Sequence, residues 1–227
     1  MQSFIRNLSA PAEFCLVILI CFGLSISYSL QVIASHLMHM APPQPHISNV
    51  LAIQSLIQKL LALAVVLGIG HIRGWSFATL GFQISWKWTG LGILLCVLVT
   101  VAASLIHKLA HAIHPEPATF GVSVGALTLP VIFIFSVANP IFEETIEAGY
   151  FIRSLQRFGM WPAALASAFF KSFLHAYQGV SGALGIFTIG VILGLAYWKW
   201  RQLWPLIVCH FLRDCLGLLY LTHHAAF

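Results

Sequence analysis

The sequence predicts an all-α protein, a polytopic membrane helix bundle of about seven transmembrane helices. Of its 227 residues, 59% are hydrophobic and only 7% are charged, and the mean hydropathy is +0.92. Soluble domains carry about 25% charged residues, so this composition excludes a soluble globular class. Each span needs roughly 20 apolar residues plus a connection, so the chain is long enough for about six to eight of them.

Apolar runs place the spans along the chain, separated by short loops. Their boundaries are roughly 14–37, 50–70, 88–106, 124–142, 161–177, 181–198 and 203–221. The Pro-rich segment 41–46 ends the first span, and a polar loop at 107–121 separates the third from the fourth. The first run is long for the apolar part of a signal peptide, so we expect it to be retained as a span.

The basic residues predict the orientation of these spans. With a cytoplasmic N-terminus, the outside segments hold only Lys108, and the inside segments hold Arg6, Arg73, Lys87, Arg153, Arg157, Lys199 and Arg201. Cytoplasmic loops are enriched in Lys and Arg. We therefore expect an integral, multi-pass protein of the plasma (inner) membrane with its N-terminus in the cytoplasm. The net charge of +5 is scattered and forms no Lys/Arg cluster of the kind that binds nucleic acid, so no nucleic-acid partner is expected.

The acidic residues are concentrated near the middle of the chain. There are six Asp and Glu residues in total, and Glu143, Glu144 and Glu147 lie within five positions between long apolar runs. An ionised carboxylate in hydrocarbon costs several kcal/mol unless it is paired, protonated or hydrated. On a helix, Glu143 and Glu147 share one face, and Glu144 is offset by about 100°. A cation, a metal ion or water must therefore meet this cluster.

Three further polar residues interrupt apolar helices downstream of the glutamates. His175 lies late in the fifth predicted span, and His210 and Asp214 lie one turn apart in the seventh. An isolated histidine is more often a satisfied core group or a residue at the water interface. Ionisable residues inside a membrane, however, usually face the bundle interior and mark function. Together with the acidic cluster, these residues on three helices indicate a functional site.

The pattern resembles the CPBP family, also called the ABI family, of intramembrane CAAX-type proteases and bacteriocin-processing enzymes. The family signature is E-E-x-x-x-R, then F-x-x-x-H, then H-x-x-x-N or H-x-x-x-D, on separate helices. Glu143-Glu144, His175, and His210 with Asp214 match it in that order. The resemblance covers roughly residues 75–221. It implies N-terminal transmembrane helices over 1–74 and a CPBP-like catalytic core over 75–227.

The resemblance implies an intramembrane protease of the EC 3.4 class that needs neither a metal nor another cofactor. Glu143 and His175 would activate a water as general base, and His210 and Asp214 would stabilise the oxyanion. Glu144 would be a structural or assisting carboxylate. The implied partners are the lipid bilayer and a membrane-associated or lipophilic peptide or protein substrate. Histidine donors aimed at a developing oxyanion gain strength in a low dielectric, which is compatible with these roles.

Two positions depart from the family signature. Ala148 stands where the signature has Arg, and Lys171 stands where it has Phe. The first change removes a cation beside the glutamates, and the second introduces one a turn before His175. We hypothesise that Lys171 is the charge partner of Glu144 or Glu147.

Three other interpretations remain open. The first is a metal-dependent membrane hydrolase, since Glu143, Glu147, His175 and His210 are acceptable metal ligands in a helix bundle. The second is a non-catalytic CPBP-like membrane scaffold or regulator, which Ala148 favours. A transporter is less favoured, because no repeated half is visible.

A second histidine-rich segment also has metal-ligand spacing. His107, His111 and His114 would share one helical face, and Glu116 follows them. The alternative is an interfacial His-rich helix end, and the segment lacks the acid–base partners of a catalytic site.

Overall fold

The computed structural model describes residues 7–75, 77–115, 123–125 and 127–225, and this part of the chain is mostly helical. Six helical segments in it are long and apolar enough to cross a membrane. Their outer faces carry exposed apolar side chains, such as Leu24, which is 74% exposed. Large exposed apolar surfaces on helices are what a lipid-facing protein presents. The protein is a polytopic helical membrane protein, as predicted.

Long helices make up most of the described chain. They are α1 (Ala10–Leu37), α2 (Asn49–Ile72), α4 (Trp86–Ile113), α5 (Leu129–Glu143), α7 (Met160–Leu174), α8 (Gly179–Trp200) and α9 (Trp204–Ala225). Short elements connect them: α3 (Phe77–Leu80), α6 (Phe151–Ser154), and two single 3₁₀ turns at Gln156–Phe158 and Ala176–Gln178. Strands β1 (His46–Ile47) and β2 (Ser123–Val124) pair in parallel, with His46 opposite Ser123.

The predicted count of seven spans is not confirmed. The fifth predicted span, 161–177, corresponds to α7, whose 15 residues rise about 22 Å. This is less than the ~30 Å thickness of the hydrocarbon core. The helix is short because His175 caps it and the chain turns through Ala176–Gln178 into α8. The α7 helix therefore ends immediately before His175, which the sequence analysis predicted as a site residue.

Local sequence signals explain where the long helices begin. Ser9, Ser48 and Ser85 cap α1, α2 and α4, because each hydroxyl accepts a hydrogen bond from the backbone N–H three residues later. Pro130 lies in the first turn of α5, where a backbone N–H has no helical partner. These local signals mark the first turns of α1, α2, α4 and α5.

The acidic segment departs from α-helical geometry. Pro140 lies inside α5, where it has no N–H to donate to the carbonyl four residues back. From Glu144 to Tyr150 the chain continues as a π-helix, and the N–H of Phe151 bonds to the carbonyl of Ile146, five residues back. Such wider turns are frequent at functional sites. This one carries Glu144 and Glu147.

Two large apolar cores hold most of the helices together, and a third, smaller cluster contains Leu127, Ile132 and Leu218. One lies among α4, α8 and α9 and includes the fully buried Val99, Tyr197 and Leu206. The other lies among α1, α2 and the α5 region and includes Val17 and Val66. Contacts of α2 with α5, and of α9 with both α4 and α5, join the two cores. The polar residues of the bundle meet where α2, α5, α7 and α9 converge.

Candidate active site

Four of the chain's six acidic residues meet inside the bundle. Glu143, Glu144 and Glu147 come from α5 and the π-helix, and Asp214 comes from α9. Asp214 lies ten residues after the start of its helix, a rise of about 15 Å. The site therefore lies near the middle of α9, far from both ends of that helix.

Lys171 is the cation at the centre of the glutamates. Its Nζ lies 2.5 Å from Glu147 Oε2, 3.0 Å from Glu144 Oε1 and 3.9 Å from Glu143 Oε2. Lys171 is 6% exposed, and Glu144 and Glu147 are each 2% exposed. Ala148, at the position of the signature Arg, is buried and carries no charge. Lys171 therefore supplies the positive charge beside the glutamates that the signature Arg, at position 148, would supply in the family.

His210 lies between three carboxylates. Its Nδ1 lies 2.7 Å from Glu144 Oε1, and because a carboxylate only accepts, Nδ1 carries the proton and donates it. Its Nε2 lies 3.4 Å from Asp214 Oδ1 and 3.7 Å from Glu143 Oε2. The bond to Glu144 fixes the ring, so Nε2 is directed between Glu143 and Asp214.

Lys59 and Asn139 were not among the residues predicted from the sequence. Lys59 Nζ donates to Glu143 Oε1 at 2.9 Å and also to Asn139 Oδ1. The amide of Asn139 then donates from Nδ2 to Asp214 Oδ2 at 2.8 Å. A signal for both was available, because each is a polar residue inside an apolar span, where such residues usually serve a function.

His175 stands at the end of α7 with its ring held by the backbone. Its Nδ1 lies 2.8 Å from the carbonyl oxygen of Lys171. A carbonyl only accepts, so Nδ1 carries a proton. In the neutral ring this leaves the lone pair on Nε2. His175 is therefore held as a potential proton acceptor.

A cavity of about 360 Å³ joins these groups. Its polar lining includes Lys59, Asn139, Glu143, Lys171, His175, His210 and Asp214, and its apolar lining includes Phe135, Ile186, Ile189, Leu193, Leu218 and Leu221. Of the three clustered glutamates, Glu143 borders the cavity, whereas Glu144 and Glu147 are buried behind it. Glu143 Oε2 is buried and accepts no hydrogen bond from any described residue, and it lies 3.7 Å from His210 Nε2 and 3.9 Å from Lys171 Nζ.

The second candidate metal segment lies on α4, which extends past the predicted span end to Ile113. The rings of His107 and His111 stack with centroids 6.3 Å apart, and Glu116 lies outside the described residues. Within the described ranges, no three or more His, Cys, Asp or Glu side chains are grouped as a metal site requires. The carboxylates of the central site contact the ammonium groups of Lys59 and Lys171.

Comparison with known proteins agrees with the motif pattern. Residues 124–216 match a family model described as Type II CAAX prenyl endopeptidase Rce1-like. No curated protein and no solved structure matches the chain. The matched range contains Glu143, Glu144, His175, His210 and Asp214, whereas Lys59 lies before it. The resemblance predicted from the sequence is therefore confirmed: over residues 124–216 the chain is similar to the Rce1-like CAAX prenyl endopeptidases of the CPBP family.

Proposed function

We propose that this protein is an intramembrane endopeptidase that hydrolyses a peptide bond of a membrane-associated or lipophilic peptide or protein. The observation that carries the proposal is the placement of Glu143. Its side chain borders the cavity, one of its carboxylate oxygens is held by Lys59, and the other accepts no hydrogen bond from the described residues. The similarity to CAAX prenyl endopeptidases supports a protease of this type at family level.

Glu143 is the proposed general base. A general base must reach the proton that it removes, and Glu143 is the clustered glutamate that borders the cavity, with an Oε2 that accepts no hydrogen bond from the described residues. His175 lines the same cavity and offers its Nε2 lone pair to the same water. The water loses a proton to Glu143 as its oxygen attacks the carbonyl carbon of the peptide. Transfer of that proton to the amide nitrogen of the tetrahedral intermediate breaks the C–N bond and releases the amine product.

His210 is the proposed oxyanion stabiliser. Its Nδ1–H is held by Glu144, so the ring is already oriented when the negative charge develops. When Nε2 also carries a proton, this nitrogen is the donor for the oxyanion. Asp214 accepts a hydrogen bond from Asn139, and as a carboxylate it has no proton to donate. Asp214 therefore contributes by supporting His210.

The proposed role of Glu144, Glu147 and Lys171 is to hold the reacting groups in position. Glu144 joins Lys171 to His210 through a single oxygen, Oε1. Ser167 donates to the backbone carbonyl of Glu147 at 2.8 Å, which ties the π-helix to α7. Polar groups that are already oriented need little rearrangement when charge develops in the transition state. Such preorganisation is a main source of electrostatic catalysis in enzymes.

The apolar part of the cavity supports the proposed substrate class. Phe135, Ile186 and Leu218 line the same space as Glu143 and His210. Apolar walls next to a few convergent polar groups are typical of sites that bind lipophilic ligands. A peptide carrying a lipid or an apolar segment fits this lining better than a charged, water-soluble peptide does.

The test is a comparison of new protein termini, by mass spectrometry, in cells that carry wild-type protein or Glu143→Gln. The substitution keeps the shape of the side chain and removes the proton acceptor. Termini found only with the wild type are expected, and they would identify the substrate. If both cell types gave the same termini, and Glu143→Gln rescued a phenotype of the null strain, the scaffold or regulator interpretation would replace the protease.

A further inference from the structure

The second transmembrane helix contributes a residue to a site whose other predicted members lie within residues 124–216. We propose that Lys59 of α2 is a positioning residue of the active site: its ammonium holds Glu143 and, through Asn139, sets the orientation of Asp214 and His210. This inference rests on the proposed function of Glu143 and His210. It makes the N-terminal helices part of the working site.

The α5 helix forms a built site for this ammonium group. Lys59 Nζ bonds to Asn139 and Glu143 and lies 5.8 Å and 5.6 Å from the ring centroids of Phe135 and Phe142. These four positions are spaced by four, three and one residues, so they share one helical face. A face that offers a carboxylate, an amide oxygen and two rings is complementary to a cation.

The position of Lys59 makes this arrangement necessary. It is the only Lys, Arg, Asp or Glu in the sequence of α2, and it lies ten residues, or about 15 Å, from the start of that helix. A cation at that depth is costly without partners, and intramembrane cations usually pair inside the bundle. The side chain is 22% exposed, on the cavity that also contains Glu143.

Two hydrogen bonds run in one direction, from Lys59 to Asn139 and from Asn139 to Asp214. An ammonium group can only donate, so the Asn139 oxygen must face Lys59 and its NH₂ group must face Asp214. Asp214 Oδ2 accepts that bond, which leaves Oδ1 beside His210 Nε2 at 3.4 Å. Without Lys59, the Asn139 oxygen loses this donor and the hydrogen bond to Asp214 must orient the amide with less help, which weakens the support of His210.

The first measurement is kinetic and uses purified protein with a farnesylated fluorogenic peptide that ends in a C-a-a-X sequence. Lys59→Met and Lys59→Gln should lower kcat about 100-fold or more and change KM by less than about threefold, as expected when an interaction specific to the transition state is lost. Lys59→Arg should lower kcat about tenfold, because a planar guanidinium cannot occupy the same position. Gln58→Met is the matched control, since it removes a polar group from the exposed face of the same helix and should leave kcat unchanged.

The second measurement does not depend on turnover. The ¹⁵N resonance of His210 Nε2, assigned with His210→Gln, should shift in Lys59→Met and stay in place in Gln58→Met. An unchanged resonance would overturn the inference, and so would a wild-type kcat in Lys59→Met when Glu143→Gln is inactive. If wild-type protein does not cleave the peptide, that result counts against the proposed function, and the resonance alone decides the role of Lys59. If the neutral variants do not fold, full activity and an unshifted resonance in Lys59→Arg would overturn the inference.

Discussion

The ammonium group of Lys171 lies 2.5 Å from Glu147 Oε2, and this ion pair is buried between α7 and the π-helix. The same Nζ lies 3.0 Å from Glu144. In the family signature, a cation follows the glutamate pair on the same helix, at the position of Ala148. In this protein the cation next to Glu144 and Glu147 is Lys171, which lies on α7. Its effect on the glutamates therefore depends on how α7 packs against the acidic segment.

Lys171→Met should destabilise the protein severely. The substitution leaves Glu144 and Glu147 buried with one fewer cation, and loss of one partner of a buried ion pair costs about 3–5 kcal/mol. The measurement is thermal unfolding of the detergent-solubilised protein. Lys199→Met is the control, because Lys199 is exposed at the end of α8. A Lys171→Met variant with wild-type stability and activity would show that Lys171 is not the charge partner of the glutamates.

The helices were largely predictable because long apolar runs have one stable arrangement in a bilayer, the helix. The exceptions have tertiary causes. The end of α7 at Leu174 was not predictable from apolarity, since the apolar pattern continues through the turn that His175 begins. Likewise, the π-helix after Glu143 depends on packing and on Pro140, and no composition rule indicates it.

The chemistry of the candidate site was predictable from the sequence, but only some of its residues were. Motif spacing selects Glu143, His175 and His210, because those residues are read as local patterns. Lys59 belongs to no motif, and its role depends on the rotation of α2 against α5, which a sequence does not state. Lys59 could still have been noticed as the one Lys or Arg in the sequence of α2, since such residues commonly face a bundle interior.

Glu143→Gln should lower kcat far more than Glu147→Gln does, although both substitutions keep the shape of the side chain and the two positions are one helical turn apart. Glu143 borders the cavity, so its neutralisation should lower kcat by about 100- to 10,000-fold, the range for loss of a general base. Glu147 is buried behind the cavity, so Glu147→Gln should lower kcat by less than about tenfold, as expected for a group outside the reacting centre. The measurement is kcat on the farnesylated peptide. The reverse order would mean that Glu147 is the base.

A comparison of Asp214→Asn with Asp214→Ala should show whether kcat depends on the hydrogen-bond acceptor at position 214 or on its negative charge. Asn at position 214 keeps an oxygen to accept the hydrogen bond from Asn139, so kcat should fall by less than about tenfold. Ala leaves the NH₂ group of Asn139 unpaired and His210 unsupported, so kcat should fall about 100-fold or more. Both variants are compared in the same peptide assay, with the His210 ¹⁵N resonance as a structural readout. Equal losses in the two variants would show that the negative charge of Asp214 is what matters.

Activity should persist when divalent metals are removed. The oxygens Glu143 Oε1, Glu144 Oε1 and Glu147 Oε2 each already accept a hydrogen bond from a lysine ammonium, so the charge that a metal ion would supply is present in the side chains. The rate of peptide cleavage should therefore be the same before and after treatment with EDTA or 1,10-phenanthroline. If the chelators abolished cleavage and Zn²⁺ restored it, the metal-dependent hydrolase would be favoured, with Glu143, Glu147, His175 and His210 as the candidate ligands. Because the chelated and the zinc-supplemented samples contain the same protein, a reversible loss could not be attributed to irreversible misfolding, and unchanged thermal unfolding in the chelated sample would show that the metal acts in the reaction rather than in the fold.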